Sequence, residues 1–406
     1  DERRRSLMEN QTKNWRKQFI PLILGQSISL IGSSAVQFAL MWWLASQTNS
    51  GTVLSIAGLF AFLPQLIIGP FAGVWVDRMD KKRVVIVADL FTGLVALLLS
   101  LSIIVSEPQI AFILISLFLR AVASVFHTPA IQAIVPTLVP VDELVEANSW
   151  NQFLQSGAYM LGPVIGAILY SIVPLWVILM TDTLGAVIAC IIIGRINIKK
   201  IAVSGEITPY FEELRLGFKE FIQNRKILNV TIIGVCVMFF YLPLSSLFPL
   251  MTTSHFKLSA AYGGIVEFVF AFGMLIGSIV IGKLNRKQNK LKQSIYGLIG
   301  ISIVTVLSGI TSVNLIGFWL FVFCSFLMGG FGNQFNIPFY SYVQEEIPTE
   351  KLGRFFSFYG SIMSIAMPLG LLLAGPMTDL LGINTWFLIA GTFSLMISII
   401  GYFSIK

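Results

Sequence analysis

The sequence predicts an all-α membrane protein of twelve transmembrane helices arranged as two pseudo-symmetric six-helix bundles. Composition, the succession of long apolar runs and an internal repeat carry that expectation. Of 406 residues, 56% are apolar and only 12% are charged, with a mean hydropathy of +0.83; soluble domains carry roughly a quarter charged residues. Apolar stretches of roughly 20 residues, the length needed to cross hydrocarbon, follow one another with short polar breaks. A bilayer offers backbone groups no water, so spans are helices or closed barrels, and continuous rather than alternating apolar runs select helices.

The expected spans lie near 19–46, 52–76, 84–105, 109–136, 144–172, 174–194, 227–252, 260–282, 292–311, 315–342, 353–379 and 384–404. The first runs on through Trp42 and Trp43, longer than the apolar core of a cleaved signal, and is read as a retained helix. Ahead of it lies a polar segment, 1–18, whose first seven residues precede Met8 and read as an added extension. With that segment in the cytoplasm, all but two of the 27 Lys and Arg fall on the inner side, the exceptions being Lys257 and the intramembrane Arg120. The positive-inside rule therefore places both termini in the cytoplasm. Trp42, Trp43, Trp176, Trp319 and Trp386 then sit at outer ends and Trp15, Trp75 and Trp150 at inner ends, as interfacial belts require.

An offset of about 208 residues aligns Gly69 with Gly277, Arg78 with Arg286, Pro140 with Pro348 and Leu144 with Leu352, the mark of a duplicated bundle. The expected bundles are 19–194 and 227–406, joined by a cytoplasmic linker at 195–226. In that linker Phe211, Leu214, Phe218 and Phe221 or Ile222 recur at helical spacing among charged residues, which predicts an amphipathic helix on the membrane surface.

Charges inside spans are costly and therefore informative, at about 3 kcal/mol or more each. Arg120 lies in span four, Asp182 in span six and Glu267 in span eight; their repeat-related positions are near Met328, Ala390 and Leu59, so the charges break the internal symmetry. Asp182, Glu267 or both are candidates to take up and release a proton, tuned by Arg120 if the groups meet; a structural ion pair, or a residue facing a water-filled cleft without coupling, is the competing reading. Asp89 is expected to belong with the basic loop before span three, and His127 to make either a helix hydrogen bond or a proton relay. Gln37, Gln155, Asn333 and Asn336 are candidate cavity-lining amides, and a greasy cavity with a few amides suits a bulky amphipathic ligand. Cys190, Cys236 and Cys324 are far apart and without ligand spacing, so no metal site or cofactor is expected. No phosphate loop or nucleophile elbow is found, so the chain does not read as an enzyme, and an ion gradient rather than ATP is the expected energy source.

Two motifs carry a resemblance. After span two the chain reads Gly73-Val-Trp-Val-Asp77-Arg78-Met-Asp80-Lys81-Lys82-Arg83, and span five contains Gly157-Ala158-Tyr-Met-Leu-Gly162-Pro163-Val-Ile-Gly166-Ala167. The first resembles the signature loop of the major facilitator superfamily, with Asp80 where glycine is usual. The second resembles that superfamily's antiporter motif, with Ala158 and Ala167 replacing glycines. Asn14-Trp15, Gly25-Gln26, Phe126-His127-Thr-Pro-Ala130 and Leu352-Gly-Arg-Phe-Phe-Ser extend the likeness to the macrolide-efflux branch along nearly the whole chain.

The resemblance implies the major facilitator fold and a bacterial plasma-membrane exporter working as a monomer. Its partners would be a lipophilic small molecule, protons and the lipid bilayer, with no nucleic acid. Gly73, Asp77, Arg78 and Lys82 would form a cytoplasmic latch against the start of span eleven; Gly157, Gly162, Pro163 and Gly166 would form a bend or seal. Arg120 resembles the superfamily's membrane arginine. Export of a native metabolite such as a siderophore or peptide, and a non-transporting sensor or assembly partner, remain the alternatives.

Overall fold

Long apolar runs without a backbone-satisfying alternative become helices, and the protein is helical almost throughout. The computed structural model describes residues 2–140, 143–198, 210–284 and 289–404, except the side chains of 2–14, 73, 74, 77, 145, 210–214, 217, 220, 282–284, 349, 350, 353 and 357. The helices are α1 (Glu2–Thr48), α2 (Gly51–Ile67), α3 (Gly69–Arg78), α4 (Lys81–Val105), α5 (Ile110–Leu138), α6 (Leu144–Ile172) and α7 (Leu175–Arg195). Then come α8 (Tyr210–Gln223), α9 (Arg225–Leu250), α10 (Ala260–Leu284), α11 (Lys290–Gly309), α12 (Leu315–Glu346), α13 (Thr349–Leu381) and α14 (Ile383–Ser404). Among the described residues 12 stretches are long and apolar enough to cross a membrane, from Trp15–Thr48 to Ile383–Ser404, and their ends fall within a few residues of the expected spans.

Two details depart from a row of plain rods. Span two is broken at Ile68 into α2 and α3, because Pro70 at the start of α3 has no N–H to continue the ladder. Span seven ends in a π-helical turn, Met251–His255, two residues after Pro249; insertions of this kind often adjoin functional regions.

The chain forms two compact units, 1–40 with 60–207, and 41–59 with 208–406. In the first unit α4 packs against α5 and α7, and α3 against α5. Lys82 at the start of α4 donates to the carbonyls of Gly194 and Ile196 at the end of α7, both at 2.8 Å, so a cation closes that helix terminus. Asp80, in the place of the usual glycine, caps α4 by accepting from the Arg83 N–H at 3.3 Å.

In the second unit α12 packs against α10 and α11, and α9 against α13 and α14. A Cβ at Gly277 would stand 2.6 Å from the Cα of Gly330, so α10 and α12 touch backbone to backbone. The expected amphipathic segment forms α8, but its apolar face docks on α13: Phe221 is buried, with its ring 5.8 Å from that of Phe355 and 5.4 Å from that of Phe358. Residues 41–59 belong to this unit through a polar cap. The Asp379 carboxylate near the end of α13 accepts from the Ser50 hydroxyl at 2.8 Å, from the Thr52 N–H at 3.1 Å and from the Gly51 N–H. These are the otherwise unpaired donors at the start of α2, where negative charge is favoured.

Candidate functional site

The first unit contains a cavity of about 420 Å³, within the range of small-molecule sites. It is lined by α1, α2, α4, α5 and α6. Its apolar wall includes Leu30, Phe62 and Leu117; its polar wall includes Gln37, Asp89, Arg120, His127 and Tyr159. Proximity of α1 to α6 comes from small residues: a Cβ at Gly166 would stand 2.6 Å from the Ala35 carbonyl oxygen, so only glycine permits that approach. Gly162 faces Ser34 in the same way, with Pro163 beside it inside α6. Gly157 differs, since a methyl there would meet no atom within 4 Å.

Two polar clusters occupy the cavity wall. In the first, Arg120 donates from Nη1 to Asp182 Oδ2 and from Nη2 to the Ser33 carbonyl at 3.1 Å, while the Ser33 hydroxyl donates to Asp182 Oδ1 at 2.6 Å. The Asp182 side chain is fully buried behind Arg120, which is 8% exposed and reaches the cavity. Desolvating two charges is costly, and here each is returned an opposite charge and a further hydrogen bond. The cluster is thus a closed, neutral set that fixes a guanidinium at the wall.

In the second, Gln26 Nε2 donates to Asp89 Oδ2 at 3.2 Å, and His127 Nε2 lies 3.0 Å from Gln26 Oε1 and 3.3 Å from Asp89 Oδ1. Asp89 is therefore a cavity residue and not part of the basic loop. It lies eight residues past Lys81, about 12 Å along α4 at 1.5 Å per residue, which takes it out of the surface layer. His127 bonds across helices rather than to its own turn. Both residues carried a signal that depth assignment from span ends obscured: a carboxylate and an imidazole inside apolar runs. Gln26 and His127 also stand in two of the strings that carried the resemblance.

The remaining candidates lie elsewhere. Glu267, on α10 of the second unit, is half-buried and makes no ion pair or hydrogen bond among the described residues. Asn333 is spent on α10, donating to the Met274 carbonyl at 2.7 Å and to the Ser278 hydroxyl at 2.8 Å. Gln155 bonds Asn151 one turn back at 3.4 Å, so neither amide is a free cavity group, while Asn336 is half-buried on α12. Of the latch residues, Arg78 is exposed at the end of α3 and Lys82 caps α7; the side chains of Gly73 and Asp77 lie outside the described residues. No group of three or more His, Cys, Asp or Glu that could hold a metal occurs among the described residues.

Twelve apolar helices among the described residues, with a pocket in the first unit whose wall holds an arginine, a histidine and a carboxylate, define a multi-pass membrane protein that admits a polar or charged solute, the class of membrane transporters. The chain belongs to the Major Facilitator Superfamily, whose family model matches residues 22–314. It is 37% identical over 394 residues to Macrolide efflux protein A of Streptococcus pyogenes, covering 95% of this chain and 96% of that protein. It is also 37% identical over 330 residues to Macrolide efflux protein A of Enterococcus faecalis, covering 80% of this chain and all of that one. Among solved structures, a bacterial homologue of the human lysosomal transporter Spinster superposes with a TM-score of 0.71 at 15% identity, covering 97% of each chain.

Proposed function

We propose that this protein exports macrolides or similar bulky lipophilic drugs from the cytoplasm in exchange for protons, by alternating access. The observation that carries the reading is the cavity of the first unit, where an apolar wall adjoins ionisable groups within the spans. Relatives named for macrolide efflux and matched over nearly their whole length support the substrate class. In this reading the charge asymmetry of the loops places both termini in the cytoplasm.

Asp182 serves to hold Arg120 at the wall, its carboxylate accepting from the guanidinium and from the Ser33 hydroxyl. Glu267 remains a carrier of protons in the second unit. Gly73, Asp77 and Arg78 act as a latch on the cytoplasmic side, and Gly162, Pro163 and Gly166 as the seal between α1 and α6. The test is accumulation of labelled erythromycin in cells with and without the protein. Expression should lower accumulation, and a protonophore should abolish the difference; equal accumulation with and without the protein, at matched membrane levels, would overturn the proposal.

A further inference from the structure

The polar groups of the first unit's cavity fall into two sets. The charged ones are already answered within the protein. Arg120 donates to Asp182 and to the Ser33 carbonyl, and Asp89 accepts from Gln26 and lies against His127. The side chains of Arg120 and Asp89 are each 8% exposed, so little of either charge faces the cavity. To bind them closely, a ligand has to displace a bonded neighbour.

The second set is neutral and unspent. Gln37 on α1, Thr92 on α4, Ser124 on α5 and Tyr159 on α6 line the same cavity, and none has a hydrogen-bond partner among the described residues. Ser124 and Tyr159 are exposed, Tyr159 at 61%, and Gln37 and Thr92 are half-buried. Of the other wall hydroxyls, Ser33 is spent on Asp182, Ser29 is buried and Ser34 abuts Gly162. Unspent neutral groups thus reach the wall from four separate helices.

Each of these groups both donates and accepts: a hydroxyl offers one O–H and its lone pairs, a glutamine amide two N–H and a carbonyl. They match the hydroxyl, ether and ester oxygens of a ligand and do not distinguish a neutral molecule from a cation. In a wet cavity water satisfies such groups. A ligand that displaces the water without returning the bonds leaves them dry, which lowers affinity at each one.

We propose that Gln37, Thr92, Ser124 and Tyr159 set the specificity of the cavity by reading neutral oxygens, so that it takes a lipophile bearing oxygen-rich groups such as sugars and selects it without regard to charge. The apolar wall of Leu30, Phe62 and Leu117 takes the hydrocarbon body, and the ring of Tyr159 offers a flat apolar face to the C–H groups of a sugar. The inference rests on the export reading and adds to it which chemistry of the substrate is recognised and by which residues.

The experiment is equilibrium binding to the purified full chain at neutral pH, in lipid nanodiscs so that no sugar-headed detergent competes for the cavity. Three ligands separate charge from oxygens. Erythromycin carries sugars and a protonated amine; its N-oxide keeps the sugars and has no net charge; tetraphenylphosphonium is a lipophilic cation without a hydrogen-bonding group. Wild-type protein should bind the first two within about threefold of one another, and tetraphenylphosphonium at least about tenfold more weakly. Tyr159→Phe and Thr92→Val each remove one hydroxyl at nearly constant volume. Each should lose about three- to tenfold in affinity for erythromycin and for its N-oxide, with tetraphenylphosphonium unchanged. The wild-type comparison needs no variant, so it stands even if one of them fails to fold. Tetraphenylphosphonium bound as tightly as the N-oxide, or an N-oxide bound tenfold more weakly than erythromycin, shows that the wall reads charge and overturns the inference while leaving export intact. Variants that bind erythromycin like the wild type, or that lose all three ligands alike, overturn the assignment of these side chains. Folded wild-type protein that binds none of the three overturns the export reading as well.

Discussion

At the scale of residues, the Arg120–Asp182 pair shows how an ion is made tolerable inside a span. A guanidinium spreads its charge over a planar fork, and here that fork reaches Asp182 and a backbone carbonyl together. Removing one member of a buried pair leaves the other uncompensated, which typically costs about 3–5 kcal/mol, whereas removing both is far milder. Asp182→Asn should therefore lower the thermal midpoint of the protein in detergent, and Arg120→Gln with Asp182→Asn should recover most of the loss. Calorimetry on the wild type and the two variants checks this, and a single variant as stable as wild type would show that the pair carries no such burden. Arg120 and Asp182 were legible in the sequence as rare charges in oil, but their pairing was not, because residues 62 positions apart meet only once α5 and α7 are packed. The roles of Asp89 and His127 were hidden for a different reason. Depth was reckoned from the ends of apolar runs, and an error of one turn moves a side chain between the headgroup layer and the cavity.

Elements were easier to read than residues, since a run of about 20 apolar residues admits few structures in a bilayer. The break at Ile68 followed from Gly69-Pro70, a pair present in the sequence but outweighed there by the continuity of hydropathy. The packing of 41–59 with the second unit had no local signal, because nothing in a helical hairpin states which partner its tip will meet; the donors at Ser50, Gly51 and Thr52 gain meaning only beside Asp379. The contact of α1 with α6 was half legible. Small residues in α6 announced a close neighbour, yet the motif did not tell which glycines face it. The structure separates them: Gly166 abuts the Ala35 carbonyl, while Gly157 faces open space. Gly166→Leu should force α1 and α6 apart and abolish drug export at normal expression. Gly157→Ala should export like the wild type and gain slightly in helix stability, by up to about 1 kcal/mol. Erythromycin accumulation in cells expressing each variant decides between them, and an inactive Gly157→Ala beside an active Gly166→Leu would reverse the assignment of the contact.

Across the whole molecule the question is what energy drives export. Exchange of one proton for one singly charged cation returns one positive charge for one taken, so by itself it draws on the pH difference and is indifferent to membrane potential. Glu267 changes that balance. It sits half-buried on α10 without an ionic or hydrogen-bonded partner among the described residues, whereas Asp182 is paired with Arg120. In the proposed cycle Glu267 carries a second proton. Two protons in for one cation out moves one net charge, worth about 2.3 kcal/mol per 100 mV, or roughly a fifty-fold gradient at equilibrium. In inside-out vesicles, wild-type protein should then accumulate labelled erythromycin in response to either an imposed pH difference or an imposed potential. Glu267→Gln should keep the response to the pH difference and lose the response to the potential. If Glu267→Gln still follows the potential, the second charge does not travel on this carboxylate; if wild-type protein ignores the potential, the cycle moves a single proton per cation.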